Sequence, residues 1–256
     1  MGKRTEYEPG TFSYVELSTG DPGAAKAFYG ELLGWDFEDT QLPEEAGGGT
    51  YTTCKVQGDT AAAIFQGDGS LPPHWNNYVT VASADDAAAK AKELGGQVMM
   101  EPFDVMTFGR MAAIADPTGA AFNAWEPRDS VGAERVNDPG CLTWNELQTT
   151  DVDAAVGFYE GLFGWGTEEM DTQGGPRYVI AKVGERSNGG VMEAQGGMPS
   201  AWIPYFTVES RDAAADKGVE RGATEFVRLE LPAGNIAMLA DPQGAAFALF
   251  EGEVDD

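Results

Sequence analysis

Residues 12–19, Phe-Ser-Tyr-Val-Glu-Leu-Ser-Thr, set Val15 and Leu17 on one side and Tyr14, Glu16 and Ser18 on the other, the period of two expected of a half-buried strand. The period then changes. Asp21 followed by Pro22 reads as an N-cap and first-turn pair, Ala24, Ala27, Phe28 and Leu32 recur at helical spacing, and Gly34 suits the left-handed residue that closes a helix. Strand-like stretches follow near 35–40, 50–57 and 61–66. The same βαβββ order then recurs, with a strand over 76–82, a helix over 84–94 ending at Gly95-Gly96, and strands near 97–104, 109–115 and 120–126.

The chain also repeats on a longer scale. Gly10-Thr-Phe-Ser-Tyr-Val-Glu-Leu-Ser-Thr-Gly-Asp21 is echoed by Gly140-Cys-Leu-Thr-Trp-Asn-Glu-Leu-Gln-Thr-Thr-Asp151, an offset of 140 − 10 = 130. Phe28-Tyr29 and Leu32-Leu33-Gly34-Trp35 match Phe158-Tyr159 and Leu162-Phe163-Gly164-Trp165, and Trp75 matches Trp202. Near the end of each unit, Ala115-Asp-Pro-Thr-Gly-Ala-Ala-Phe122 matches Ala240-Asp-Pro-Gln-Gly-Ala-Ala-Phe247. This predicts two homologous domains, 1–127 and 140–256, joined by a polar linker over 128–139, and four βαβββ modules in all.

Composition narrows the partners. The 256 residues carry 16 basic and 42 acidic side chains, a formal charge of −26. Such a surface repels a phosphate backbone or an anionic bilayer, so neither nucleic acid nor membrane is expected as a partner. No apolar run approaches a membrane span and the N-terminus lacks a signal-peptide core, which predicts a cytoplasmic protein. Clusters such as Glu44-Glu45, Glu168-Glu169 and Asp255-Asp256 read as solvated surface. Cys54 and Cys141 have no ligand spacing and are expected to be buried free thiols.

The strand leading to Asp21 and Phe28-Tyr29, or to Asp151 and Phe158-Tyr159, and the Asp116-Pro117-Thr118-Gly119 or Asp241-Pro242-Gln243-Gly244 turn before the last strand, occur in the same order twice. In this the chain resembles the vicinal oxygen chelate (VOC) superfamily, which includes glyoxalase I, extradiol dioxygenases, bleomycin-binding resistance proteins and fosfomycin-resistance enzymes. The resemblance covers nearly the whole chain. It implies an α+β fold in which the four modules form two tandem glyoxalase-like domains, each an open eight-stranded cup with a ligand or metal on its concave side.

The resemblance also implies where a metal would sit: a His or Gln on a unit's first strand, a His on its fifth and a Glu on its eighth. The matching positions are Tyr14, Asn76 and Asn123 in unit one, and Trp144, Ile203 and Ala248 in unit two. None is a His, Asp or Glu, so no metal and no other cofactor is expected. His74 is the chain's single histidine; it precedes the fifth strand and is expected to lie in a loop.

Alternation along the strands places Tyr14, Glu16, Asn76, Tyr78, Asn123 and Trp125 in cup one, and Trp144, Glu146, Gln148, Tyr205 and Phe250 in cup two. The expected ligand is apolar or aromatic, an antibiotic or secondary metabolite for example, held by Tyr14, Asn76, Tyr78, Asn123, Trp125, Trp144, Tyr205 and Phe250. Glu16 and Glu146 are the candidate catalytic residues, since a carboxylate beside aromatic rings is desolvated toward a pKa useful for proton transfer; pairing with Lys55 and Lys182 is the alternative. Three functions stay open: a metal-independent binder, a metal-free lyase, isomerase or cyclase using Glu16 or Glu146, and a glyoxalase or dioxygenase with an atypical metal site. Because one chain completes its own cups, a monomer or a weak homodimer is expected. Arg110, replaced by Asn235 in unit two, is read as a surface salt-bridge partner that could also meet an anionic ligand group.

Overall fold

The computed structural model describes residues 2–43, 48–172 and 174–253; Glu44, Glu45 and Asp255-Asp256 lie outside them. The first module is β1 (Phe12–Thr19), α1 (Pro22–Leu33), β2 (Asp36–Gln41), β3 (Thr50–Val56) and β4 (Asp59–Gln66). The second is β5 (His74–Thr80), α2 (Ala84–Glu93), β6 (Gln97–Val105), β7 (Gly109–Ala115) and β8 (Ala121–Pro127). The third is β9 (Leu142–Thr149), α3 (Val152–Phe163), β10 (Gly166–Met170), β11 (Tyr178–Val183) and β12 (Arg186–Glu193). The fourth is β13 (Ala201–Thr207), α4 (Arg211–Glu220), β14 (Thr224–Leu231), β15 (Gly234–Ala240) and β16 (Ala246–Glu251). The fold is α+β, with elements within two or three residues of their expected limits. One placement differs: His74 opens β5 and does not sit in the preceding loop, its ring Nδ1 2.8 Å from the Pro72 carbonyl oxygen.

Local chemistry sets these boundaries. The Asp21 and Asp151 carboxylates accept from the amides of Ala24 and Ala154 at the start of α1 and α3. Gly34 and Gly164 end the same helices with φ of 71° and 70°, a conformation that favours a residue without Cβ.

Each unit forms one mixed sheet of eight strands, ordered β2-β3-β4-β1-β5-β8-β7-β6 and β10-β11-β12-β9-β13-β16-β15-β14. The two modules of a unit join through the antiparallel β1–β5 or β9–β13 pair at the sheet's centre. Neither sheet closes into a barrel, so each stays open along its first and last strands. Val15, Leu17 and Thr19 are buried on the helical side, which leaves Tyr14, Glu16 and Ser18 on the concave side.

The helical sides of the two sheets face each other, and the two large hydrophobic clusters are each shared between the units. One cluster joins Leu17, Phe28 and Tyr29 of the first module with Phe206, Leu239 and Phe247 of the fourth. The other joins Ala88, Ile114 and Phe122 of the second module with Phe158, Tyr159 and Trp165 of the third. Matching polar contacts cross the seam: Trp35 Nε1 donates to the Gly140 carbonyl at 2.7 Å and Trp165 Nε1 to that of Gly10 at 2.8 Å. Tyr29 and Tyr159 donate to Asp241 and Asp116, each at 3.1 Å. The Asp-Pro turns therefore do two jobs. One oxygen of Asp116 accepts from the amides of Thr118 and Ala120, closing the turn before β8, while the other takes the phenol of the opposite unit. Phe28-Tyr29 and Phe158-Tyr159 are thus structural. The segment after β8 is pinned too, with Arg135 only 7% exposed and bonded to Asp59 and Asp138.

Candidate functional site

Cup one is built across five adjacent strands. β1 places Tyr14 opposite Tyr78 and Glu16 opposite Asn76, and β5 places Tyr78 beside Asn123 and Thr80 beside Trp125. On the other flank Glu16 is level with Ala63 of β4, and Ala63 with Thr53 of β3. Tyr51 on β3 stands two residues before Thr53, opposite Phe65, and its long side chain reaches across β4 to Glu16. The Tyr51 hydroxyl donates to Glu16 Oε1 and the Tyr78 hydroxyl to Oε2, each at 2.5 Å. The Tyr14 and Tyr51 hydroxyls lie 3.4 Å apart, and Asn123 sits level with Tyr78 on the neighbouring strand.

One carboxylate therefore gathers three phenols. Burial raises the Glu16 carboxyl above its ordinary value, while the Tyr51 and Tyr78 hydrogen bonds pull it part of the way back. Burial and the nearby Glu16 charge hold Tyr14, Tyr51 and Tyr78 well above the usual phenol value, so all three keep their protons. Tyr14, Glu16, Tyr51 and Asn76 are half-buried and open to the cup. Tyr78 and Trp125 are nearly covered, their rings edge to face at 6.2 Å, and the Trp125 indole is tied to the Ser130 carbonyl; these two support the wall more than they offer open stacking surface.

Tyr51 and its counterpart Tyr178 are absent from the candidates read from the sequence. Two signals point to them: a tyrosine recurs at the same place in both repeats, and Cys54 and Val56 assign the opposite parity to the core. Lys55 and Lys182 do not meet the glutamates. They pair with Glu38 and Glu168 at the sheet edges.

Cup two places Glu146 near Tyr178 and Tyr205, with Gln148 Nε2 donating to Glu146 Oε1 at 3.4 Å and the carboxyl likewise raised by burial. Trp144 Nε1 donates to the Tyr178 hydroxyl at 3.1 Å. Its concavity, however, is filled from within: Ile203, Tyr205 and Ala248 are buried in a small apolar cluster with Trp144, Met238 and Phe250 packed against them. Glu146 is only 4% exposed.

The six positions at which a metal would be expected present a phenol and two carboxamides in cup one, and an indole and two aliphatic groups in cup two. This donor set, with no imidazole, thiolate or carboxylate at any of the six positions, does not fit a divalent transition-metal ion. Among the described residues there is no group of three or more His, Cys, Asp or Glu that could hold one. Arg110 is committed to Asp85 and Asp104, as a surface salt bridge. Cys54 and Cys141 are buried free thiols, the latter pushed up to about 12 by burial. No helix among the described residues is long and apolar enough to cross a membrane.

A crevice of about 530 Å³ lies between α2 and the end of α3, bordered by Asp86, Lys90 and Glu93; no phenol or convergent hydrogen-bonding cluster faces it. A smaller hollow of about 150 Å³ lies at the end of β1, lined by Ser18, Thr19, Leu71 and Pro73.

Two tandem βαβββ pairs, each curled around a central strand pair, define the class: the chain belongs to the glyoxalase/bleomycin resistance protein/dioxygenase superfamily, whose model matches residues 11–124, with a glyoxalase-like domain model matching residues 144–250. Along nearly its whole length it is similar to the "Putative glyoxylase CFP32" of Mycobacterium tuberculosis (strain CDC 1551 / Oshkosh), at 40% identity over 98% of each chain. It is also similar to the anthracycline biosynthesis protein DauV of Streptomyces sp. (strain C5), at 32% identity over 96% of this chain and 95% of that one. Among solved structures, a Mn(II)-bound glyoxalase from Novosphingobium aromaticivorans superposes with a TM-score of 0.68 at 16% identity, covering 100% of this chain and 85% of that one. At that identity the likeness is one of fold.

Proposed function

We propose that cup one binds a planar, hydroxylated polycyclic aromatic molecule without a metal ion. The observation that carries this reading is the Glu16 carboxylate with Tyr14, Tyr51 and Tyr78 around it, half-open at the floor of a concave sheet. The rings suit a flat apolar body, and the acceptor and phenol groups suit hydroxyl or carbonyl substituents on it. The ligand is neutral or cationic: Lys55 and Arg110 are already paired, and a chain of net charge −26 disfavours an anion. Similarity to a protein named for anthracycline biosynthesis supports the same ligand class.

The raised Glu16 carboxyl favours a second reading, in which the bound molecule also exchanges a proton with Glu16 in a metal-free lyase, isomerase or cyclase reaction. Glu146, closed off beneath Gln148 and Met238, then has a structural role.

The test uses 1,4-dihydroxyanthraquinone as probe, titrated calorimetrically against the protein with and without EDTA. Saturable binding that survives EDTA supports the reading, and absence of binding overturns it. Glu16→Gln separates the two versions: a binder loses affinity, whereas a proton-transfer enzyme keeps affinity and loses turnover.

A further inference from the structure

The two cups set a glutamate and two tyrosines at the same places and differ in what lies around them. Glu16, Tyr51 and Tyr78 occupy the same register positions as Glu146, Tyr178 and Tyr205. Two residues beyond the glutamate, unit one has Ser18 and unit two Gln148. Opposite, Ala113 pairs with Asn123 on β8, whereas Met238 pairs with Ala248 on β16. In unit two the longer side chains meet: Gln148 Nε2 lies 3.5 Å from Met238 Sδ and 3.4 Å from Glu146 Oε1. Together they add about six heavy atoms over the ones in unit one, roughly the bulk of a benzene ring, which is the size of guest that a small apolar cavity can take up. Ser18 and Ala113, by contrast, carry side chains too short to bridge in this way, and Glu16 is half-buried where Glu146 is 4% exposed.

We propose that cup two is a closed copy of the same aromatic-binding site, and that Gln148 and Met238 are the residues that shut it and confine the ligand to unit one. The proposal rests on the reading of cup one given above. Gln148 also supplies a hydrogen bond that a ligand substituent would otherwise make to Glu146, so the closed cup leaves its carboxylate partnered while no ligand is present. The pair thereby sets the stoichiometry of the chain.

The experiment counts bound 1,4-dihydroxyanthraquinone per chain by calorimetry in the full-length protein. One equivalent is expected for the wild type and two for Gln148→Ser/Met238→Ala. The reciprocal Ser18→Gln/Ala113→Met protein is expected to bind none while keeping its circular dichroism spectrum and Tm; it decides the matter if the opened variant does not fold, since retained binding there overturns the proposal. One equivalent or none in a folded opened variant, or two in the wild type, also overturns it. A wild type that binds nothing removes the reading of cup one, and the closed copy with it.

Discussion

Replacing Tyr159 with Phe deletes one oxygen from the seam between the two units. That oxygen accepts from Trp202 Nε1 at 2.8 Å and donates to Asp116 Oδ2 at 3.1 Å. All three residues are buried, with exposures of 1%, 4% and 3%. The variant leaves the indole N–H without a partner, at a cost of about 1–3 kcal/mol, and removes a hydrogen bond to a charged group worth about 1.5–3 kcal/mol. The two share one hydroxyl and do not add fully, so the expected loss is about 2–4 kcal/mol. At about 2–4 °C per kcal/mol for a chain of this size, the Tm falls by roughly 4–16 °C. Tyr29→Phe breaks the equivalent contacts with Trp75 and Asp241; its weaker 3.3 Å indole bond gives a loss toward the low end. The two large hydrophobic clusters draw on both units, so calorimetry should record a single transition that either variant lowers as a whole, and a fragment of residues 1–127 should not fold. Two resolved transitions, each moved by only one variant, would refute the shared-core argument, as would a Tyr159→Phe protein whose Tm is unchanged.

Three further outcomes follow from the same geometry. Burial raises the Glu16 carboxyl, so the folded state holds its proton more tightly than the unfolded chain: this group's contribution to stability is greatest below its unfolded pKa of about 4.3 and is lost as pH rises through the raised folded value. Glu16→Gln removes that decline, and its Tm relative to the wild type should climb between acidic and neutral pH; a constant difference would show that Glu16 is not held in this way. Asp21→Ala deletes the cap on the Ala24 amide and should lower stability by about 1 kcal/mol in denaturant titrations, with a change below the error of the midpoint counting against the cap. Exhaustive dialysis against EDTA should leave Tm and probe affinity as they were, whereas a loss restored by Mn(II) or Zn(II) would overturn the conclusion drawn from the donor set.

The modules, their caps and the face each strand residue takes were legible from the chain alone, because a period of two or 3.6 and an Asp or Gly at a helix end are set by bonds among near neighbours. Repetition made the reading firm: Tyr14 and Trp144, Glu16 and Glu146 stand at equal distances from their capping aspartates. Only the tertiary structure brought Tyr51 to Glu16 across β4, set Tyr159 against an aspartate of the other unit, and showed Gln148 resting on Met238. Those contacts depend on strand order, register and the curl of two sheets packed back to back, which no local period encodes.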